Sequence, residues 1–153
     1  MAIGCGQDEK IASLEKQNRE LKAEVDKSHA TADYDLQAKC SKDAKTWFNE
    51  NWSRDKDTAL LDFTNHYNKS MNKCFILVEY HYTLGDGGAS WTNDMTLWDV
   101  YENAKYATFD ESHMIYFKPT VRTDDRVIIC ELSDTKCKTG KEFNNLVRPY
   151  LNN

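Results

Sequence analysis

From Cys74 to Leu132 one strand-like segment follows another, with no stretch between them long enough for a crossover helix. The first, Cys74-Phe-Ile-Leu-Val-Glu-Tyr-His-Tyr-Thr83, is a near-continuous run of apolar, aromatic and β-branched residues, the composition of a central strand. Gly85-Asp-Gly-Gly88 then offers residues that accept positive φ, and 91–102 resumes with Met95, Leu97, Trp98, Val100 and Tyr101. Further strands are expected over 105–109, 114–117 and 126–132, separated by Asp110-Glu111-Ser112 and Thr123-Asp124-Asp125, which read as loops. Parallel pairing would require a long crossover between neighbours, so this sheet has to be antiparallel.

Helical signals flank the strands. Leu36, Cys40, Ala44, Trp47, Phe48 and Trp52 recur at three- and four-residue intervals, the stripe of a helix laid on a core, while Lys39, Lys42, Asp43, Lys45 and Asn49 fill its other side. Leu60, Phe63 or Thr64, Tyr67 and Met71 predict a second helix, capped by Asp57-Thr58. Thr139-Gly-Lys-Glu142 is a capping box before Phe143, Leu146, Val147 and Tyr150, a terminal helix that Pro149 ends or kinks. The expected fold is α+β: an N-terminal helical tether, then helices packed on an antiparallel sheet, with a C-terminal helix. The 4 Trp, 8 Tyr and 6 Phe supply the core bulk that few aliphatic residues provide.

The amino-terminal part differs in composition. Residues 1–6 are small and uncharged, 7–32 read as the tether, and 33–153 as the α+β domain, with a helix break expected at Ser28-His-Ala-Thr-Ala32. Ile11, Leu14, Leu21 and Val25 occupy a, d, d and a of a heptad whose remaining a position is Asn18, flanked by Glu15, Lys22 and Glu24. Residues 11–25 could therefore join copies of the chain, or form a charged, solvated helix. A net charge of −5 argues against nucleic acid as a partner, and no apolar run approaches the ~18 residues of a bilayer span.

Five cysteines divide into one plus four. Cys130 and Cys137 are close enough in sequence for a hairpin or wide turn to join them, and Cys40 and Cys74 would staple the first core helix to the central strand. Four reduced cysteines packed as small hydrophobes are the alternative. No Cys-x-x-Cys occurs and no histidine stands near a cysteine at ligand spacing, so neither zinc nor a thioredoxin-like role is expected, and no cofactor motif is found.

Cys5 remains, in the setting Ala2-Ile3-Gly4-Cys5-Gly6, which resembles the end of the lipobox of small bacterial lipoproteins, though with Ala2 where Leu is usual. The resemblance implies lipid attachment at Cys5, loss of residues 1–4 from the mature protein, and membrane anchoring at the cell envelope, periplasmic or surface-exposed. The block from Cys40 to Phe48, with His66-Tyr-Asn68 and Lys73-Cys-Phe75, is also similar to a pattern in uncharacterised exported bacterial proteins, which assigns no catalytic residue.

Candidate chemistry is sparse. Asp62 and His66 would share a helix face as half of a general-base arrangement, with no nucleophile motif beside them. Gly85-Asp-Gly-Gly88 lacks the Gly-Lys-Ser/Thr of a phosphate loop and the spaced acids of a calcium loop. Strand-borne Trp91, Trp98, Tyr80 and Tyr82 could make a platform for sugar or peptide. These features favour a non-enzymatic binding module of the envelope, taking a protein or an envelope polymer. The alternatives are a periplasmic enzyme on envelope polymers using His66 and Asp62, and a cytosolic coiled-coil scaffold.

Overall fold

A computed structural model describes residues 5–85, 89–116 and 122–152, with side chains from residue 8 onward. The chain divides into two compact units, Met1–Leu36 and Gln37–Asn153. Helix α1 (Cys5–Asn51) runs without the break expected at 28–32. No Gly or Pro occurs between Gln7 and Asn51, and the Thr31 hydroxyl donates to the Lys27 carbonyl at 3.0 Å, so the hydroxyl that signalled an end is satisfied inside the helix. In the first unit Ile11, Leu14, Leu21 and Val25 are all exposed along one stripe.

In the second unit, α1 residues from Gln37 onward precede a six-stranded sheet in which every strand pairs with its sequence neighbour. These are β1 (Thr58–Asn68), β2 (Lys73–Leu84), β3 (Ser90–Asp99), β4 (Ala104–Tyr116), β5 (Arg122–Leu132) and β6 (Thr135–Lys136), all antiparallel to their neighbours. Helix α2 (Gly140–Leu151) follows. Non-glycine residues in the left-handed region turn the chain: Asn72 before β2, Asn103 before β4 and Ser133 before β6. Of the glycine-rich turn expected at 85–88, only Gly85, at φ 76°, lies within the described residues.

Period two divides the sheet into two faces, each with its own core. Cys40, Ala44 and Trp47 pack on Leu61, Tyr67, Cys74, Ile76, Val78 and Val100. On the other face Phe143 and Val147 of α2 pack on Phe75, Met95, Leu97, Ala107, Phe109 and Cys130. Cys40 is disulfide-bonded to Cys74 and Cys130 to Cys137, with Cα separations of 5.4 and 4.9 Å. The first bridge, fully buried, ties α1 to β2, which is second from the edge of the sheet rather than central, and the second ties β5 to the chain just after β6.

The helix expected over 57–71 is instead β1. Phe63 and Tyr67 belong to both the helical and the alternating stripe, so Leu60 and Leu61 decide between them. Leu61 is buried at 5% exposure, whereas Leu60 stands at 36%, and Phe63 meets Phe48 of α1 with the rings tilted and their centroids 4.5 Å apart. The segment's Thr58, Phe63, Thr64 and Tyr67 are strand formers, and pairing with β2 satisfies a backbone that a helix would have to satisfy alone. Two other expectations change. Asp110-Glu111 and Asp124-Asp125 lie within β4 and β5 rather than in loops, because β4 is a single strand paired on both edges. Helix α2 continues past Pro149 to Leu151, and the Pro149 carbonyl accepts a hydrogen bond from Asn68 at 2.8 Å.

Candidate functional site

The strand positions beyond those that α2 covers carry polar and aromatic side chains on the same face as Met95 and Phe109. Trp91 lies opposite His113 across β3 and β4, and Asn93 lies opposite Glu111. On β2, His81 is the partner of Asn93, and on β5, Asp125 is the partner of His113. Register therefore converts residues spread over 81–125 into two adjacent rows.

Within the rows the rings are in contact. The His113 imidazole stacks on the Trp91 indole at a centroid distance of 5.5 Å and 12° between planes, and His81 meets Trp91 edge-on at 5.1 Å. His113 Nδ1 pairs with Asp125 Oδ1, and since an ionised carboxylate only accepts, that nitrogen carries the proton and Nε2 is the atom left to meet a ligand. Asn93 Nδ2 donates to Glu111 Oε1 at 3.4 Å, while the buried Asn93 Oδ1 has no protein donor. The His113 side chain is 22% exposed and Asp125 70%, so an inner imidazole is oriented by an outer carboxylate. A shallow concavity of about 310 Å³ is lined by Trp91, Glu111, His113, Asp125 and Arg126, and Arg126 pairs with Asp124 and holds its carboxyl below the usual range. This arrangement can accept and donate hydrogen bonds around an aromatic edge, and an imidazole fixed by a carboxylate can also move a proton.

Comparison with protein families, curated proteins and solved structures finds no match. The reading of the site therefore rests on its own chemistry.

The opposite face holds a second polar patch. Tyr80 and Tyr82 stack at 5.1 Å, and Asp94 stands directly across from Asp110. Burial, and then the charge of Asp110, push the Asp94 carboxyl up to about 7. Asp94 Oδ1 and Asp110 Oδ1 are buried without a protein donor, and protonating Asp94 lessens the repulsion between the two side chains.

The four aromatic residues singled out in the sequence do not form one platform. Trp91 is on the α2 face, while Tyr80, Tyr82 and Trp98 are on the other, where Trp98 packs against Trp47 at 5.4 Å. Asp62 and His66 are four residues apart on a strand rather than a helix, which places their Cα atoms about 13 Å apart. His113 and Asp125, by contrast, pair across two strands, and the sequence signals only that each lies in a strand-rich region. The Cys5 side chain lies outside the described residues. Among the described residues no group of three or more His, Cys, Asp or Glu side chains is placed to hold a metal ion, and no helix is long and apolar enough to cross a membrane.

Proposed function

We propose that this chain is an exported protein of the cell envelope, lipid-anchored through Cys5, whose second unit binds an envelope polymer at the Trp91–His113–Asp125 row. The observation that carries the binding reading is the fixed, partly exposed imidazole of His113, held between an indole and a carboxylate on paired strands. Asn93 and Glu111 in the next row add an amide and a carboxylate, giving the mixed donors and acceptors that recognise hydroxyl and amide groups. Two disulfides fit an oxidising compartment, which supports export. The lipobox-like setting of Cys5 supports the anchor.

A second reading, a periplasmic enzyme on the same polymers, is favoured by the carboxylate-oriented imidazole alone, and places the acid–base pair at His113 and Asp125 instead of His66 and Asp62. Co-sedimentation with purified peptidoglycan separates the two. The binding reading expects retention without release of soluble fragments, weakened roughly tenfold by Trp91→Ala or His113→Ala. Fragment release abolished by Asp125→Asn would establish the enzyme, and absence of retention would remove peptidoglycan as the ligand. Mass spectrometry of protein from its native source, read for acyl chains on Cys5, decides the anchor.

A further inference from the structure

The first unit presents an apolar seam that its own helix cannot bury. Ile11, Leu14, Leu21 and Val25 are 54%, 51%, 59% and 50% exposed, whereas the apolar residues of α1 from Cys40 to Trp47 are buried. A stripe this uniform on a helix with Lys16 and Glu20 paired on its outer side is the surface of an unpaired coiled-coil strand.

Side-chain type at each heptad position selects one partner. The a positions hold β-branched Ile11 and Val25 around Asn18, and the d positions hold Leu14 and Leu21. β-Branched residues at a with Leu at d fit two strands, since the other a/d assignments are the ones that favour trimers and tetramers. Asn18 fixes orientation. In a parallel, in-register pair it meets Asn18 of the partner subunit and the two amides bond each other, whereas an antiparallel pair sets a against d, and the registers that overlap the whole seam bury the amide against Leu14 or Leu21.

Charge at the seam's flanks agrees. In a parallel dimer each g residue faces the partner's e residue five positions on. Lys10 at g then faces the partner's Glu15, Glu24 faces the partner's His29, and Gln17 beside the partner's Lys22 is neutral. No pair in this register sets like charges together. We propose that residues 10–29 form a parallel, in-register, two-stranded coiled coil with a second copy of this chain. The inference is independent of what the second unit binds.

The full chain tests it by sedimentation equilibrium from low micromolar to millimolar concentration, with circular dichroism confirming that each variant is folded. The expected result is a monomer–dimer equilibrium that Leu14→Glu with Leu21→Glu abolishes. Glu15→Lys should weaken the dimer roughly three- to tenfold, because it faces the partner's Lys10, and adding Lys10→Glu should restore it. In a Cys5→Ser background, Ser28→Cys at a d position should form an intermolecular disulfide readily and Lys16→Cys at an f position should not. A monomer at all concentrations, a larger oligomer, or a dimer lacking the Ser28→Cys cross-link and the charge-swap rescue would each overturn the proposal.

Discussion

Two side chains show how much of this domain rests on single polar residues. Asn68, 1% exposed, donates to the carbonyls of Pro149 and Tyr150 and accepts from Ser70 Oγ and the Met71 amide, so one amide joins the β1–β2 turn to the end of α2. Asn68→Ala takes the donor from those part-buried carbonyls and the acceptor from Ser70 and Met71, and should cost roughly 1–3 kcal/mol, read by urea denaturation at constant m-value. Asp94 sets a pH dependence. Its folded pKa of about 7 lies above that of an unfolded Asp, near ~3.9, so between these values the folded protein holds a proton that the unfolded chain has released, and stability falls as pH rises through the window. Thermal melts should therefore show wild type losing ground to Asp94→Asn between pH 5 and pH 8, by a few degrees. A difference that stays constant across that range would show that Asp94 is not the group. Neither role was legible beforehand: Asn68 stood in a stretch expected to be helical, and the Asp94–Asp110 encounter exists only through strand register.

At the scale of elements, those with one-sided periodicity and local caps were readable and those with shared periodicity were not. Helix α2 begins where Thr139 accepts from the Glu142 amide at 3.2 Å, while the Glu142 carboxylate accepts from the Lys138 amide at 2.8 Å, one residue before the usual capping-box partner. Thr139→Ala should destabilise the domain by about 1 kcal/mol, and Thr139→Ser should recover most of it. Strand β1 is the contrary case. Its apolar positions match periods of both 2 and 3.6, and the choice fell to pairing with β2 and to Phe63 meeting Phe48. The join of β4 across Asp110-Glu111 has a similar origin, because a bulge between these two residues absorbs a register shift and leaves Ile128 of β5 without a partner. Ile128 is consequently 54% exposed, an apolar residue on the part of β5 that β6 does not pair with, and nothing in its sequence context marks it as exposed.

The second unit as a whole is held by two small cores on opposite faces of one sheet and by two covalent ties of unequal reach. The Cys40–Cys74 bridge spans 34 positions and the Cys130–Cys137 bridge 7. In the chain-entropy view they contribute about 4 and 2.5 kcal/mol. Replacing Cys40 and Cys74 together by Ala should lower the denaturation midpoint more than replacing Cys130 and Cys137. The reverse order would mean that anchoring β6 and the start of α2 matters more than joining α1 to the sheet. Lys73 shows how polar groups enter this small interior: it bonds Asp99 and Glu102, each at 2.6 Å, and those bonds raise its pKa. Asp99, fully buried, also accepts from the Tyr101 amide and so turns β3 toward β4.

The sequence by itself determined the α+β class, the antiparallel sense of the sheet, the core face of α1 from Cys40 to Trp47, though not Leu36, which is exposed, and the α2 cap, because each follows from neighbours within a few residues or from segments too short to cross over. It also set the exposed heptad of the first unit, which is a property of one helix. Tertiary structure alone decided that 58–68 is a strand, that Trp91 parts from Tyr80 and Tyr82, and that His113 meets Asp125. Each of those depends on register between strands distant in sequence, where a shift of one residue exchanges the two faces of the sheet.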